Sequence, residues 1–538
     1  MKLIRPILLS AFLFVCLSTV SVSVLGQNQN DALRHSLYTI TGSARSMGMG
    51  GAYSAVGADL SSATLNPAGL AVYRSSTFAM SPAYILIGNK AEFLDTVGTG
   101  RDSYFGIPSW GVAFTTLKEY DNGRTREEVR NGLKSFTFAF GHNQLENYTR
   151  NVTVQGGFND LSSLSDMFAE QAEGIFYEQL PDKEYNAWAT FVIDNVSGGG
   201  GSRYFPAVTA GNTQQDIQLQ EEGRRNEWFI SLAGNFSDQL YIGGTIGIQR
   251  LQYSHNFTFI ESDINNLYEF YENNENSGFP LEIPTIRFDY NDNFSTRGTG
   301  INGKIGLIYR PIDQVRVGLA VNTPTIFSLT DEFSSSMTHL FLDSDSLGSF
   351  EREEFSSSEP ARFQYLLTTP YKLTLGAMVL LGKKGMVSAD VEMTDYSSAK
   401  LASASSDIND PNYYTFAPEN QGIKDQYQTA INARLGGEFR QDIFRIRAGA
   451  ALLGNSIVAN RREYLDFFDL ETIHSIDGGR RILTLGAGIR QPNFYLDVSF
   501  INQMQKDILN PYFSDKYTPS VISTRTTNTI ISTIGFTF

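Results

Sequence analysis

The chain has 538 residues, 42 basic and 57 acidic side chains, a formal net charge of −15, 41% hydrophobic residues and one cysteine. The acidic excess argues against a nucleic-acid partner, and a lone cysteine can form neither an intrachain disulfide nor a thiolate metal cluster. Mean hydropathy is −0.20, and past the N-terminus no apolar run reaches the ~18 residues of a membrane helix, which excludes a helical bundle but not a membrane barrel.

Lys2 and Arg5 precede an apolar stretch from Ile7 to Leu25, then Gly26 and the polar Gln27. This is the layout of a secretory signal, with Val24 and Gly26 suiting cleavage, so residues 1–26 are assigned to it and the mature chain is expected to start near Gln27. Cys16 lies in that stretch behind Val15, too large for lipoprotein processing, which leaves the mature chain without cysteine and with a charge of −17. Residues 27–76 do not alternate. They contain Gly42-Ser43-Ala44-Arg45-Ser46-Met47-Gly48-Met49-Gly50-Gly51-Ala52, then Asp59, then Asn66-Pro67-Ala68-Gly69. The glycine spacing matches no phosphate loop. Pro67 holds Asn66 away from helix and sets a turn.

From Thr77 onward, runs of alternating residues recur, the pattern of strands with two unlike faces. They predict strands near 77–90, 104–118, 134–145, 226–237, 240–260, 295–311, 314–334, 361–382, 385–400, 426–441, 443–457, 477–491, 493–507 and 525–538, fourteen in all. Ile530, Ile534, Phe536 and Phe538 share one face of the last run, opposite Thr529, Ile531, Thr533 and Thr537. Elsewhere the second face carries Lys304, Arg310, Arg316, Asp390, Glu392, Arg434, Glu438, Arg445, Arg447, Arg490 and Asp497. In a soluble sandwich the apolar faces would need a matching second sheet, whereas alternation with a charged interior fits a closed barrel, so the reading is all-β, a 14-stranded antiparallel transmembrane β-barrel over residues 77–538 with a charged lumen.

Tight connections at Ser237-Asp238, Pro311-Ile312, Lys383-Lys384, Gln441-Asp442 and Gln491-Pro492 alternate with long polar insertions, as periplasmic turns alternate with outer loops. Residues 118–134 form a longer link on the short-turn side. The largest insertion, 146–226, has helix-compatible stretches at 160–174 and 182–195. There Leu161, Leu164, Met167, Phe168, Ile175 and Phe176 recur at helical spacing, as a core of the loop or as an outer entry site, for which Leu161, Leu164, Phe168 and Phe176 are the candidates. Asp289–Asn293 and Asp407–Asp410 carry calcium-type oxygens without the spacing of a calcium loop and read as solvated charge. No metal site or cofactor is expected. His35, His142, His255, His339 and His474 are scattered and no nucleophile has an evident partner, so no enzyme is expected.

The glycine-rich stretch, an acidic residue and then Asn66-Pro67-Ala68 just before the first strand resemble the N-terminus of the FadL/TodX family of outer-membrane transporters for hydrophobic compounds. The resemblance implies that residues 27–76 form a hatch, or plug, in the lumen, with Gly48, Gly50, Gly51, Asp59, Asn66, Pro67 and Ala68 as its marked positions. It implies a bacterial outer-membrane protein surrounded by lipid, binding long-chain fatty acids or similar hydrophobic molecules and releasing them sideways through the wall. Gly106 and Pro108, with Gly141 in the next strand, are the candidate lateral gate, because proline removes a ladder hydrogen bond and glycine eases a bend. Hydrated charge on the lumen floor forfeits the burial of an alkyl chain, so the ligand is expected above it. Two alternatives are a barrel of this kind acting as a PorV-type protein-interaction component of a secretion system, and a porin.

Overall fold

The computed structural model describes residues 29–121, 126–128, 131–195, 202–206, 208, 213–263, 285–345, 348–407, 413–458, 472–474 and 479–538. The predicted signal, the 198–201 glycine run and residues 408–410 of the second acidic cluster lie outside them.

The alternating runs close into one antiparallel barrel. Its strands are β1 Thr77–Phe93, β2 Thr96–Leu117, β3 Leu133–Asn147 continuing as Arg150–Asn159, β4 Thr213–Phe236, β5 Leu240–Ser262, β6 Thr285–Ile312 and β7 Val315–Asn322 with Ile326–Asp345. They are followed by β8 Ala361–Thr368 with Lys372–Leu381, β9 Gly385–Asp395 with Lys400–Ser403, β10 Thr429–Gln441, β11 Phe444–Leu453, β12 Arg480–Arg490, β13 Phe494–Leu509 and β14 Val521–Thr537. The predicted count of fourteen holds. The barrel is sealed by β1 against β14, from Thr77 opposite Thr537 to Glu92 opposite Ile522, and the Phe538 amide donates to Ser76 O at 3.0 Å. Phe538 is 67% exposed on the outer face, with its ring edge-on to Phe114.

Outward residues such as Ile246, Ile305, Leu435, Ile446 and Leu485 form an exposed apolar band, while Arg434, Arg447 and Asp497 are buried inside. No edge is left for hydrocarbon to desolvate, which is why this inside-out pattern is stable in a membrane and would not be in water.

Two features depart from the sequence reading. First, β4, β5 and β6 have 24, 23 and 28 residues, although about 9–11 suffice to cross the hydrocarbon. The insertion read as 146–226 therefore begins and ends in strand. Above the band the two faces exchange chemistry. On β5, Ile246 and Ile248 face out below, whereas Leu251, Tyr253, Phe257 and Phe259 face in above. The apolar-outward pattern ends at that exchange. Asp289–Asn293, read as loop charge, lies in β6, where Asp289 pairs with Arg287 and Asp292 with Lys183 at 3.3 Å.

Second, the predicted outer entry site does not assemble. The insertion folds into α4 Leu164–Ala172 and α5 Asp182–Ala189, where Ser163 and Asp166 form a capping box at the start of α4. Leu164 and Phe168 are fully buried against Phe259, Phe288 and Tyr290 of the strand extensions, leaving Leu161 and Phe176 exposed and outside that cluster. Helical spacing marked a core stripe because a cap packed inside a tall wall must bury one face.

Glu184 of α5 is buried under this cap, and burial pushes its carboxyl from the ordinary value of 4.5 up to about 7. The folded cap thus favours the protonated acid. Its stability is highest below pH 4.5, falls as pH rises, and is lowest above about 7, a loss of roughly 3 kcal/mol at most. Hydrogen-exchange protection factors across 182–189, taken relative to the intrinsic rate at each pH, should fall over this range in the wild type and stay level in E184Q.

Candidate functional site

Residues 29–76 lie inside the barrel as α1 Gln29–Arg34, α2 Ala44–Gly48, α3 Ser62–Leu65 and a 3-10 turn Pro67–Val72. Asp59 organises this hatch. Its Oδ2 accepts from Ser43 Oγ at 2.7 Å and its Oδ1 from the Ser61 amide at 2.9 Å and Ser61 Oγ at 2.6 Å. One carboxylate thus joins the two halves of the segment.

The Asn66-Pro67-Ala68 triplet fastens the hatch to the wall. Asn66 caps the 3-10 turn by accepting from the Ala68 amide at 3.1 Å. Its Nδ2 donates to Ser54 O within the hatch at 2.7 Å and to Leu307 O of β6 at 3.2 Å. The wall is thinned to receive it. Gly243 and Gly306 face each other across β5 and β6, and a β-carbon on either would collide with the triplet. The same device recurs at Gly318 opposite Gly376, under Ser54, and at Gly436 opposite Gly449, under Met49 and Gly50. Gly50 and Gly51 have φ of +65° and +72°, so a side chain there is strained as well as crowded.

Inward charges complete the seat. Glu438 Oε2 accepts from Arg45 Nε of the hatch at 3.0 Å and Arg447 Nε of β11 at 2.7 Å, and Arg447 Nη1 reaches Asp497 at 2.6 Å. Asp390 accepts from the Tyr53 and Ser54 amides, both at 2.9 Å. Glu438 and Asp390, with the groups bonded to them, therefore fasten the hatch to the charged floor.

Above it the wall is incomplete. β2 pairs with β3 only from Ser109 opposite Asn143 down to Leu117 opposite Ser135; β2 runs on up to Thr96, and there Gly98 and Gly100 lie against Thr153 and Asn151 of β3, which bounds the opening above. Pro108 sits where the ladder stops. It lies in a bulge, since Ser81 of β1 pairs with Ser109 but Ala83 with Gly106. β3 bends at the same height, its register on β4 shifting between Gln144 and Glu146. Phe105 and Ile107, 69% and 44% exposed, face outward beside the opening. Gly106 has open space around it, whereas Gly141 pairs with Gly111 below the gap and is closely packed there. Of the three predicted gate residues, Pro108 and Gly106 border the opening and Gly141 does not.

A cavity of about 90 Å³ lies behind it. Tyr104, Pro108, Gln144 and Asn147 line its mouth; Ile40 and Met47 of the hatch, with Ile85, Ile482, Ile501 and Ile531 of the wall, line its interior. Asn147 Nδ2 donates to the Tyr104 hydroxyl across the gap. Glu146, on the β3 edge, accepts from Thr39 Oγ1 of the hatch at 2.8 Å and pairs with Arg480 at 3.4 Å. Hatch and opening are thus joined through one carboxylate. Arg525 also reaches the cavity, with one bond to Gln505 at 3.3 Å and a buried Nε that has no partner. No motif marks these residues. The one signal was an isoleucine on an inward, otherwise polar face, as Ile531 is between Thr529 and Thr533.

With this geometry, a search of solved structures finds a Pseudomonas aeruginosa FadL homologue at TM-score 0.51 and 13% identity, covering 93% of this chain and 99% of that one. The chain has the FadL-type fold. The Ralstonia pickettii toluene transporter TbuX (TM-score 0.45, 14% identity, 92% and 98% covered) and the P. putida toluene transporter TodX (0.48, 12%, 93% and 99%) are also similar. No protein-family model and no curated protein matches the sequence. The likeness spans nearly the whole chain.

The glycine seat predicts a separable phenotype. Gly306→Val should displace Asn66, leave the barrel assembled by circular dichroism, and raise ion conductance in planar bilayers. Conductance equal to the wild type would show that the hatch is not seated through this pair.

Proposed function

We propose that this protein takes hydrophobic small molecules across a bacterial outer membrane, holding them in the cavity above the hatch and releasing them sideways between β2 and β3 into the surrounding lipid. The observation that carries this reading is the coincidence of an apolar cavity with the point where the ladder stops. In hydrocarbon, backbone groups are left unpaired only where the wall faces protein or a ligand path. The FadL-type fold supports it. A seated hatch favours a ligand carrier over an open porin, and the reading includes no catalytic step.

The finer reading is a long-chain fatty acid. Each methylene moved from water to an apolar lining contributes about 0.8 kcal/mol, and the free Nε of Arg525 suits a carboxylate at the polar end of that lining. A charge-assisted bond there is worth roughly 1.5–3 kcal/mol. R525Q should accordingly weaken binding of palmitate by at least about ten-fold and leave hexadecanol unchanged, measured by displacement of a fluorescent lipid; equal losses for both would remove the fatty-acid assignment.

Release through the wall has its own test. Pro108→Val restores an amide donor at the end of the β2 ladder, so uptake of ligand by cells should slow several-fold while binding in detergent persists. Unchanged uptake would place the exit elsewhere.

A further inference from the structure

The inward cations of the barrel divide into two groups. Most of those at hatch level and above are paired with a carboxylate: Lys304 with Glu227, Arg434 with Glu392, Arg447 with Glu438 and Asp497, Arg480 with Glu146, while Arg225 donates to the His35 and Leu37 carbonyls and Arg525 to Gln505. Below the hatch, among the short turns, Arg310 still pairs with Asp313, and Lys134 and Arg74 with Asp238, but around the turns before β9 and β11 the pairing stops. A concavity of about 870 Å³ opens there, lined by Arg45, Arg316, Lys383, Lys384, Arg440 and Arg490 against two carboxylates, Glu438 and Asp442. Glu438 is already shared by Arg45 and Arg447. None of Arg316, Lys383, Lys384, Arg440 and Arg490 has a carboxylate within 4.0 Å among the described residues. Arg316 donates one bond, to Val56 O of the hatch at 2.7 Å, and its buried Nε has no partner.

Five unmatched cations around one concavity, in a chain of net charge −15, are a local reversal of sign, and a recess walled by protein focuses the resulting field. We propose that this mouth is a docking site for an acidic peptide segment of a periplasmic protein. The charges are spread over a recess too large for one carboxylate or phosphate to span, and Val56, Val72, Met378 and Leu380 between them offer apolar contact. Carboxylates at intervals along an extended chain match that layout. Lipid headgroups lie outside the wall, whereas this recess lies inside it, directly beneath the hatch. The segment would touch Arg316 and Arg45, two of the hatch's links to the wall, so a partner bound here is in contact with the plug itself. The proposal takes from the transport reading only its orientation, short turns toward the periplasm. Binding in detergent requires neither transport nor a hydrophobic ligand, so the two readings can fail separately.

The test uses the full chain in detergent and a fluorescein-labelled octaglutamate, followed by anisotropy. Saturable binding is expected, weakening as salt rises from about 50 to 200 mM. Triple substitution K383E/K384E/R440E, on exposed turns away from the hatch bonds, should reduce affinity by at least about ten-fold, with circular dichroism unchanged. K118E, across the mouth at the end of β2, should bind as the wild type does. Absence of binding, or equal loss in K118E and the triple variant, would overturn the proposal. So would failure to bind the peptide combined with a triple-variant effect on stability in phosphatidylglycerol but not phosphatidylcholine nanodiscs, which would make the mouth a lipid contact.

Discussion

In hydrocarbon, every backbone amide and carbonyl must find a partner within the protein, and a closed antiparallel ladder is the way fourteen strands meet that demand. The pairing of Thr77 with Thr537 and of Phe538 with Ser76 closes the circle. Once the circle is closed, inside and outside are fixed by alternation, and the remaining features are local exceptions to it. The exception at Pro108 matters most, because the ladder between β2 and β3 ends there and a cavity begins.

A closed wall creates a second problem, a lumen wide enough to leak. The hatch fills it, and the wall is shaped to receive the hatch through opposed glycines that remove β-carbons where Asn66, Ser54 and Met49 approach. Buried ion pairs gain little net stability against their desolvation, but they specify position strongly. Arg45 on Glu438 and the Tyr53 and Ser54 amides on Asp390 therefore read as registration marks for the plug. Glu146 extends the logic to the opening, bonding the hatch residue Thr39 from the β3 edge beside the gap.

The barrel was legible because its physics is local. Ile431 and Leu435 against Asn432 and Arg434 declare two faces within five residues, and the tight connection at Gln441-Asp442 dictates a hairpin, which the structure closes with Gln441 opposite Phe444. Legibility failed where the solvent outside changed. Above the membrane β4 and β5 keep their parity but turn Leu219, Phe257 and Phe259 inward and Gln218 and Gln252 outward, so the strand continues after its apolar-outward signature ends. The cap misled for a related reason: a helical stripe such as Leu164 and Phe168 has the same spacing whether it lines a ligand path or a core, and burial decides which. Pro108 was readable as an interruption of a ladder, whereas Gly141 was indistinguishable from the other wall glycines that accept close backbone approach.

By itself the sequence determined the wall, the sense of its faces, the number of its strands and a non-alternating segment ahead of them, since each follows from residues adjacent along the chain. Only the tertiary structure decided where the wall is open and what lies behind the opening. Thr39, Tyr104, Glu146, Ile482, Arg525 and Ile531 meet in one cavity although they span most of the chain. Their convergence is set by strand register and by the docking of the hatch, both relations between distant segments that no local pattern encodes.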